Sequence, residues 1–327
     1  MGAGGPRLSV VVPTYDRVDL LKRCIDDLRR QTVPASDYEI VVVDDASKTP
    51  VAPPLEPEYR STAPEIVWLR VEENSPARAR NLGIKHARAP IVLFIGDDIF
   101  ARPNMVEEHL RAHERTSELV AVLGKLEDDP DLPKSAFERW FDPFGYSLLR
   151  GDQELDCRFF WTNNISVKTE LLRRHGGFDE DFSDANHEDV ELGYRLERAG
   201  MRIRYRDIVL GYHRHPYTLA SACRLLYRRG ATYRILRAKV PDEVFREHLG
   251  IFSWRNSPRS IIRGLVRQVL VNDLTAGMWS KWLARDKDSA LRRFFYWKLL
   301  TYYTNKGYRD ADPRRMRASS APLATSR

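Results

Sequence analysis

The sequence predicts an α/β fold in which a mostly parallel sheet is flanked by helices. Short apolar segments alternate with longer amphipathic segments through residues 8–123, and residues 41–43 and 91–95 are apolar without alternation. A strand that helices cover on both faces is continuously apolar, whereas a strand with one face in water alternates. The 327 residues suffice for one large domain with an appended region, or for two modest domains.

Five segments are predicted as strands, at residues 8–12, 39–43, 66–71, 91–95 and 119–123. Between the first two, residues 18–31 place apolar side chains at the spacing of one helical face. Ser75 is a good N-cap and Pro76 a good first helical residue, so a helix is predicted from there to about residue 87. The proline-rich segment 50–64 is predicted as a loop.

A second group of elements is predicted after residue 185. Residues 188–200 carry an apolar stripe and end at Gly200, which suits the C-terminus of a helix. Residues 202–206 and 208–212 are predicted as two short strands that lead to His213. The α/β pattern therefore continues to about residue 215.

Charge divides the chain near residue 216. Residues 217–327 contain 23 Lys and Arg against 8 Asp and Glu, whereas residues 1–216 contain 38 acidic against 30 basic residues. The predicted parts are a flexible N-terminus at 1–6, the α/β domain at 7–215, a basic amphipathic helical region at 216–311 and a disordered tail at 312–327. Apolar stripes at 260–272 and 291–303 either pack on the domain or lie on an anionic membrane surface.

Several classes of protein are excluded by composition. The longest apolar runs are about five residues, so no transmembrane helix is expected. The first residues lack the basic and apolar blocks of a secretory signal. Cys24, Cys157 and Cys223 are far apart, which argues against a disulfide framework or a cysteine zinc site and favours the cytoplasm. No nucleic-acid-binding module is recognisable, so the basic region is not expected to bind nucleic acid.

Acidic pairs follow two of the predicted strands. Asp44-Asp45 comes after one and Asp97-Asp98 after the other. A single pair would be explained as helix caps or turn residues. Because ligands of open α/β sheets bind at the carboxyl ends of the strands, two such pairs predict one shared crevice. A third pair, Glu188-Asp189, opens a predicted helix, where a carboxylate also stabilises the helix dipole.

Taken in order along residues 7–215, these motifs resemble those of the family 2 glycosyltransferases, which have the GT-A fold. The motifs are VVVPTYDR at 10–17, IVVVDDAS at 40–47, ARARNLG at 77–83, FIGDD at 94–98, GGFDE at 176–180, HEDVE at 187–191 and the late His213. Each motif is weak alone, whereas their order is specific. The resemblance implies a GT-A fold with a C-terminal helical extension.

The resemblance also implies a catalytic pair and a metal site. Asp189 matches the general base of an inverting transfer, which takes the proton of the acceptor hydroxyl, and Glu188 would orient the acceptor hydroxyls. Asp98, the last acid of the family's D-x-D motif, and His213 would hold Mn²⁺ or Mg²⁺, which neutralises the departing diphosphate. His215 is the competing imidazole.

The pocket for a nucleotide-sugar donor follows from the same resemblance. Asp44 matches the residue that recognises the nucleobase, and Arg80 matches an arginine that contacts the nucleotide, although a solvated helix arginine explains it equally well. Asp97 would reach the ribose or the metal's water shell, because Gly96 stands where the family has its first acid. The other predicted pocket residues are Pro13, Thr14 and Tyr15 beneath the base, and Trp161 and Asn164 toward the sugar and the acceptor. Trp161 is equally compatible with a core position.

The predicted function is metal-dependent, inverting transfer of a sugar from a nucleotide-diphosphate donor to a hydroxyl acceptor. UDP is the commonest nucleotide in the family, and the acceptor would be a glycan or lipid-linked intermediate of polysaccharide or O-antigen synthesis. The enzyme would be cytoplasmic, and its basic helices would either pack on the domain, which is the commoner outcome, or give peripheral contact at the inner face of the membrane.

Two alternatives stay open. A nucleotidyltransferase would normally show a glycine-rich, basic phosphate loop after the first strand, where this chain has Pro-Thr-Tyr-Asp at 13–16. A non-catalytic binding protein of the glycan machinery would be free to lose Asp98, Asp189 or His213, and all three are present.

Overall fold

The computed structural model describes residues 5–116, 119–182, 184, 186–241, 270–285 and 287–311. The chain divides into two compact units: an N-terminal unit of residues 1–132 and 144–215, and a C-terminal unit of residues 133–143 and 216–327. Residues 1–4, most of the predicted helix at 260–272 and the predicted tail at 312–327 lie outside the described residues.

The described part of the N-terminal unit is built on one nine-stranded sheet. The strands are β1 (Leu8–Thr14), β2 (Tyr38–Asp44), β3 (Ile66–Arg70), β4 (Ile91–Ile95), β5 (Ile99–Ala101), β6 (Val120–Asp128), β7 (Gln153–Leu155), β8 (Asn164–Lys168) and β9 (Arg202–His213). Their order is β3-β2-β1-β4-β8-β6-β9-β5, with β7 paired to β9. All residues of β2 and β4 are buried, and the apolar stretches 41–43 and 91–95 are buried as predicted.

The α/β fold class is confirmed, but the sheet is mixed rather than mostly parallel. β3, β2, β1 and β4 are parallel neighbours, and β6 is parallel to β9. The pairings of β4 with β8, β6 with β8, β5 with β9 and β7 with β9 are antiparallel. A parallel pair needs a crossover of a dozen or more residues. The three residues 96–98 between β4 and β5 are too few, so β5 pairs with β9 instead.

Helices connect the strands and build the second unit. In chain order, the α-helices among the described residues are α1 (Val18–Leu28), α2 (Ala52–Tyr59), α3 (Pro76–His86), α4 (Met105–Glu114), α5 (Ala136–Trp140), α6 (Thr169–Arg174), α7 (Glu188–Arg198), α8 (Leu219–Lys239), α9 (Ala276–Leu283) and α10 (Ala290–Asp310). The predicted start of α3 is confirmed, since the Ser75 side chain caps it by accepting from the Arg78 N–H. Gly200 follows α7 at φ +92°, a conformation that favours glycine.

Two predictions of local structure are wrong. The segment 50–64 contains α2, because Pro53 and Pro54 lie in its first turn, where a missing N–H is tolerated, and Leu55 and Tyr59 are buried one turn apart. The two short strands expected at 202–206 and 208–212 are one strand, β9. The register between β6 and β9 shifts between Gly124 and Lys125. This irregularity allows β9 to continue past the point where the sequence suggested a break between two strands.

In the C-terminal unit, α8 and α10 approach each other closely at two glycines. A Cβ built on Gly230 would lie 1.9 Å from the Thr304 carbonyl oxygen, and one on Gly307 would lie 1.8 Å from that of Tyr227. Backbone atoms cannot yield as a flexible side chain can, so only glycine fits. Among the described residues, no helix is long and apolar enough to cross a membrane.

Replacing Gly230 by alanine is therefore expected to destabilise the C-terminal unit by about 1–3 kcal/mol, because the two helices must move apart. Gly277 in α9 is a matched control, since a Cβ there meets no atom within 4 Å and alanine favours helix. The unfolding midpoint is measured by tryptophan fluorescence, which mainly reports this unit because five of the seven tryptophans belong to it. Equal midpoints for Gly230→Ala and Gly277→Ala would contradict the close approach.

Candidate active site

Asp98, His213 and His215 form a compact group in the N-terminal unit. Asp98 precedes β5 and His213 ends β9, and the pairing of Ile99 with His213 brings the two side chains together. The His215 Nδ1 lies 3.2 Å and the His213 Nε2 3.7 Å from the Asp98 Oδ2. One ligand atom from each of the three residues lies within 4.8 Å of the others. The two predicted metal ligands are thus brought together, and His215 joins them.

Alternation along the chain explains why both histidines face Asp98. Arg214, between them, points to the other side and donates from Nη1 to the Asp129 Oδ2 at 2.7 Å. Asp129 is buried, and the Arg214 backbone N–H donates to the Asp98 carbonyl at 2.9 Å. The signal for His215 in the sequence is therefore the His-x-His spacing.

The ends of β1 and β4 meet beside this group. The Thr14 hydroxyl donates to the Asp97 Oδ2 at 2.7 Å. Arg17 Nη1 donates to the Asp97 Oδ1 at 3.1 Å and to the Asp98 Oδ2 at 2.8 Å. Two of the predicted donor residues, Thr14 and Asp97, are thus in direct contact, and Arg17 is a site residue that the sequence reasoning missed. Tyr15, which lies between Thr14 and Arg17 in the chain, is 40% exposed.

The two adjacent acids differ in their electrostatic environment. Burial and the charge of Asp98 raise the pKa of Asp97 to about 6, against the opposing effect of Arg17. Burial alone would raise the pKa of Asp98 too, but hydrogen bonds to His213 and His215 and the charge of Arg17 hold that pKa well below its ordinary value. Asp98 is therefore the carboxylate that stays ionised, as a metal ligand must.

Asp44 braces the loop that follows β2. Its Oδ1 accepts from the Ser47 N–H at 2.8 Å, its Oδ2 accepts from the Val51 N–H at 3.2 Å, and Arg70 forms an ion pair with it. The side chain is 3% exposed. The structure places Asp44 in support of the loop after β2, and its recognition of the nucleobase stays a prediction.

Glu188 and Arg80 form a buried ion pair that joins α3 to the start of α7. The Arg80 Nη1 donates to the Glu188 Oε1 at 2.8 Å, and the Glu188 Oε2 accepts from the Asn186 N–H at 2.7 Å. Glu188 is 2% exposed. The structure places this glutamate in support of the start of α7, and its contact with acceptor hydroxyls stays a prediction.

Asp189 is the second residue of α7 and is half-buried. The preceding His187 adopts φ +70°, an uncommon conformation for a residue with a side chain, which turns the chain sharply into the helix. Asp189 therefore lies at the positive end of the helix dipole, where a carboxylate is stabilised. Its catalytic role stays a prediction.

The last two predicted pocket residues occupy different environments. Trp161 belongs to an aromatic group. The centroid of the Phe144 ring lies 6.0 Å from that of Trp161 and 6.1 Å from that of His213, so Phe144 contacts both residues. Asn164 is fully buried. Its amide bonds to the His109 ring and to the carbonyls of Lys125 and Val209, so the structure places it in the core rather than in a pocket. Pro13 lies half-buried near the end of β1.

Comparison with known protein families and curated proteins supports the resemblance. The model of "Glycosyl transferase family 2" matches residues 9–176, and that of "Glycosyl transferase family group 2" matches residues 136–305. A validoxylamine A glucosyltransferase of Streptomyces hygroscopicus subsp. jinggangensis is 33% identical over an alignment 223 residues long, which covers 60% of this chain and 52% of that protein. The chain spans about half the length of the validoxylamine A glucosyltransferases it matches.

Solved structures agree on the fold. The mannosyltransferase PcManGT from Pyrobaculum calidifontis, in complex with GDP-Man and Mn²⁺, matches with a TM-score of 0.61 at 20% identity, over 93% of this chain and 86% of that chain. S. aureus TarS 1–349 in complex with UDP matches with a TM-score of 0.54 at 19% identity, over 93% and 91%. The family model covers half of the chain and the folds agree: the chain belongs to glycosyltransferase family 2 and has the GT-A fold.

Proposed function

We propose that this chain catalyses the inverting transfer of a sugar from a nucleotide-diphosphate donor, a UDP-sugar, to a hydroxyl of a glycan or lipid-linked acceptor. The observation that carries the proposal is the convergence of Asp98, His213 and His215 beyond the carboxyl ends of β4 and β9 in a family 2 fold. Ligands of open α/β sheets bind at this edge.

The side chains around Asp98 suit a divalent cation. A carboxylate oxygen and two imidazole nitrogens within reach of one point match Mn²⁺ better than Mg²⁺, which prefers oxygen ligands alone. Asp98, His213 and His215 would hold the ion. Once bound, the cation supplies Lewis-acid neutralisation of the charge on the leaving diphosphate. The mannosyltransferase PcManGT, which shares the fold, was solved with Mn²⁺.

The remaining chemistry belongs to the protein. In an inverting transfer, the acceptor oxygen attacks the anomeric carbon from the face opposite the leaving group, and Asp189 takes the hydroxyl proton as that bond forms. Glu188 positions Asp189 by holding Arg80 and the turn before α7. No enzyme nucleophile is needed, because the sugar passes directly to the acceptor.

Two observations on relatives favour a UDP-sugar and a carbohydrate acceptor. TarS was solved with UDP and with UDP-GlcNAc. The curated relatives include a validoxylamine A glucosyltransferase and a poly(ribitol-phosphate) beta-glucosyltransferase. Because PcManGT was solved with GDP-Man, the nucleotide needs a direct test.

That test is a thermal-shift panel of UDP-, GDP- and TDP-sugars with and without Mn²⁺. A ligand that binds only the folded state raises the unfolding midpoint, and at about 100 times its dissociation constant it adds about 2.7 kcal/mol of stability. We expect UDP-sugars with Mn²⁺ to raise the midpoint most. No rise with any donor would favour the non-catalytic alternative. A larger rise with GDP-sugars than with UDP-sugars would mean that the donor carries GDP rather than UDP.

Asp98→Ala is expected to weaken Mn²⁺ binding in the presence of UDP at least about tenfold, because it removes the central ionised ligand. Asp207→Ala is the control, since it removes an exposed carboxylate of β9 six residues before His213. Binding is measured by isothermal titration calorimetry with Mn²⁺ as titrant. An unchanged Mn²⁺ affinity in Asp98→Ala would remove the ligand role from this residue.

Contact with a membrane surface stays a prediction for the C-terminal unit. On α10, Leu291, Phe294 and Trp297 are 58%, 43% and 41% exposed, and the Lys298 ammonium lies over the rings of Phe294 and Trp297. Exposed apolar and aromatic side chains beside a lysine are typical of helices that lie at an anionic interface.

A further inference from the structure

Arg17 forms an ion pair with the Asp98 carboxylate oxygen that a cation would bind. Its Nη1 lies 2.8 Å from the Asp98 Oδ2, the atom that His215 and His213 face at 3.2 Å and 3.7 Å. The Arg17 side chain is 39% exposed, whereas that of Asp98 is 11% exposed. The guanidinium therefore reaches from the solvent side to the buried Asp98, beside the two partly buried imidazoles.

A guanidinium and a divalent cation cannot share this position. Arginine stays protonated throughout the accessible pH range, so it cannot relieve the repulsion by losing its proton. A cation bound to Asp98 and the two imidazoles would lie beside Oδ2, and Arg17 would have to move. Its exposure and its long side chain leave it free to do so.

We propose that Arg17 competes with the cation for Asp98 in the nucleotide-free protein and thereby couples metal binding to donor binding. The inference rests on the proposed function, since it requires a cation at Asp98. A nucleotide diphosphate brings oxygen ligands for the cation and a new anionic partner for the displaced guanidinium. Metal and nucleotide then each bind more tightly when the other is present.

A purely structural role for Arg17 makes a different prediction. If Arg17 served only to neutralise two buried acids, its removal would leave the affinity for Mn²⁺ unchanged or would weaken it by loosening Asp98. Asp97 keeps its hydrogen bond from Thr14 without Arg17, so the loop after β4 retains a tie to β1. Competition, in contrast, predicts tighter Mn²⁺ binding when the guanidinium is removed.

The experiment measures Mn²⁺ binding to the full chain by electron paramagnetic resonance of free Mn²⁺, with and without UDP. Arg17→Gln is expected to bind Mn²⁺ at least about fivefold more tightly than wild type without UDP, and the ratio of the dissociation constants without and with UDP is expected to fall by at least about fivefold. Arg17→Lys keeps the positive charge but loses the planar guanidinium. Its affinity for Mn²⁺ is therefore expected to lie between those of wild type and Arg17→Gln.

Lys22→Gln is the matched control. Lys22 lies on α1, its side chain is also 39% exposed, and it pairs with Glu58 rather than with the acids of the site. We expect its Mn²⁺ dissociation constant to stay within about twofold of wild type. An equal gain in Lys22→Gln would mean that general charge, and not competition at Asp98, sets the affinity, and would overturn the inference.

Failure of the inference is distinguishable from failure of the proposed function. If wild type binds Mn²⁺ with UDP and Arg17→Gln shows the same or weaker Mn²⁺ affinity without UDP, the coupling by Arg17 is wrong and the metal site stands. If wild type binds no Mn²⁺ even with UDP, the metal-dependent function fails and the inference fails with it.

Discussion

Asp189→Asn is expected to lower kcat by about 10²–10⁴-fold while UDP binding changes little, because an amide cannot accept the proton of the acceptor hydroxyl. The side chain keeps its size and its place in the first turn of α7. The rate is measured by UDP release with a UDP-sugar and acceptor, and UDP affinity by calorimetry in the presence of Mn²⁺. A fall in kcat without a change in UDP affinity separates loss of the base from loss of the pocket.

Asp19→Asn is the matched control for this substitution. Asp19 is the second residue of α1, as Asp189 is of α7, and it is exposed. The control therefore loses the same interaction between a carboxylate and a helix dipole. We expect its turnover to match wild type. If Asp189→Asn keeps more than about a tenth of the wild-type kcat, Asp189 is not the base.

Much of the fold could be predicted because its central strands are buried on both faces. Residues 41–43 of β2 and all of β4 are apolar and buried, as strands covered on both faces require. Glu39 and Asp44 of β2 are buried too, and each forms an ion pair with an arginine. The start of α3 could be predicted because Ser75 and Pro76 act locally. Features that depend on distant partners could not: the antiparallel pairing of β5 with β9 and the placement of residues 133–143 in the C-terminal unit are decided by tertiary contacts.

The candidate site was predictable for residues whose direction follows from a strand end. Asp98 follows β4 and His213 ends β9, and the two do lie together, although the β5–β9 pairing that brings them into contact was not predicted. Asn164 shows the limit, since a polar residue in β8 can point to a pocket or into the core, and the sequence does not encode which. Arg17 was missed because its partners lie about eighty residues away, across the β1–β4 pairing.

Asn164 instead opens a buried hydrogen-bond chain that contains two histidines. The Asn164 Nδ2 donates to the carbonyls of Lys125 and Val209, so its Oδ1 accepts from the His109 Nε2 at 3.0 Å. The His109 Nδ1 then accepts from the Ser166 hydroxyl at 2.8 Å. The Ser166 oxygen in turn accepts from the His113 Nε2 at 2.8 Å. The His109 ring is therefore neutral with its proton on Nε2, and His113 carries a proton on Nε2.

These histidines predict that the N-terminal unit loses stability in acid. Burial lowers the pKa of His109 to about 4 and, with the charge of Lys168, that of His113 to about 3. The pKa of a histidine in the unfolded chain is near 6.5. Between pH 6.5 and pH 4 these two rings therefore bind protons in the unfolded chain but not in the folded chain. Above pH 6.5 the two histidines therefore cost the folded state no stability. As the pH drops below 6.5 the free energy of unfolding falls, by several kcal/mol at pH 4.

The double variant His109→Gln, His113→Gln separates this effect from the titration of carboxylates. Asp97 acts in the opposite direction, because its raised pKa makes the folded state the better proton acceptor near pH 5, but it does so equally in both proteins. We therefore expect urea unfolding at pH 6.5 and pH 4.5 to show a smaller loss of stability in the variant than in wild type. His86→Gln, at an exposed histidine, should keep the wild-type loss. Equal losses in all three proteins would mean that the buried rings accept protons without unfolding.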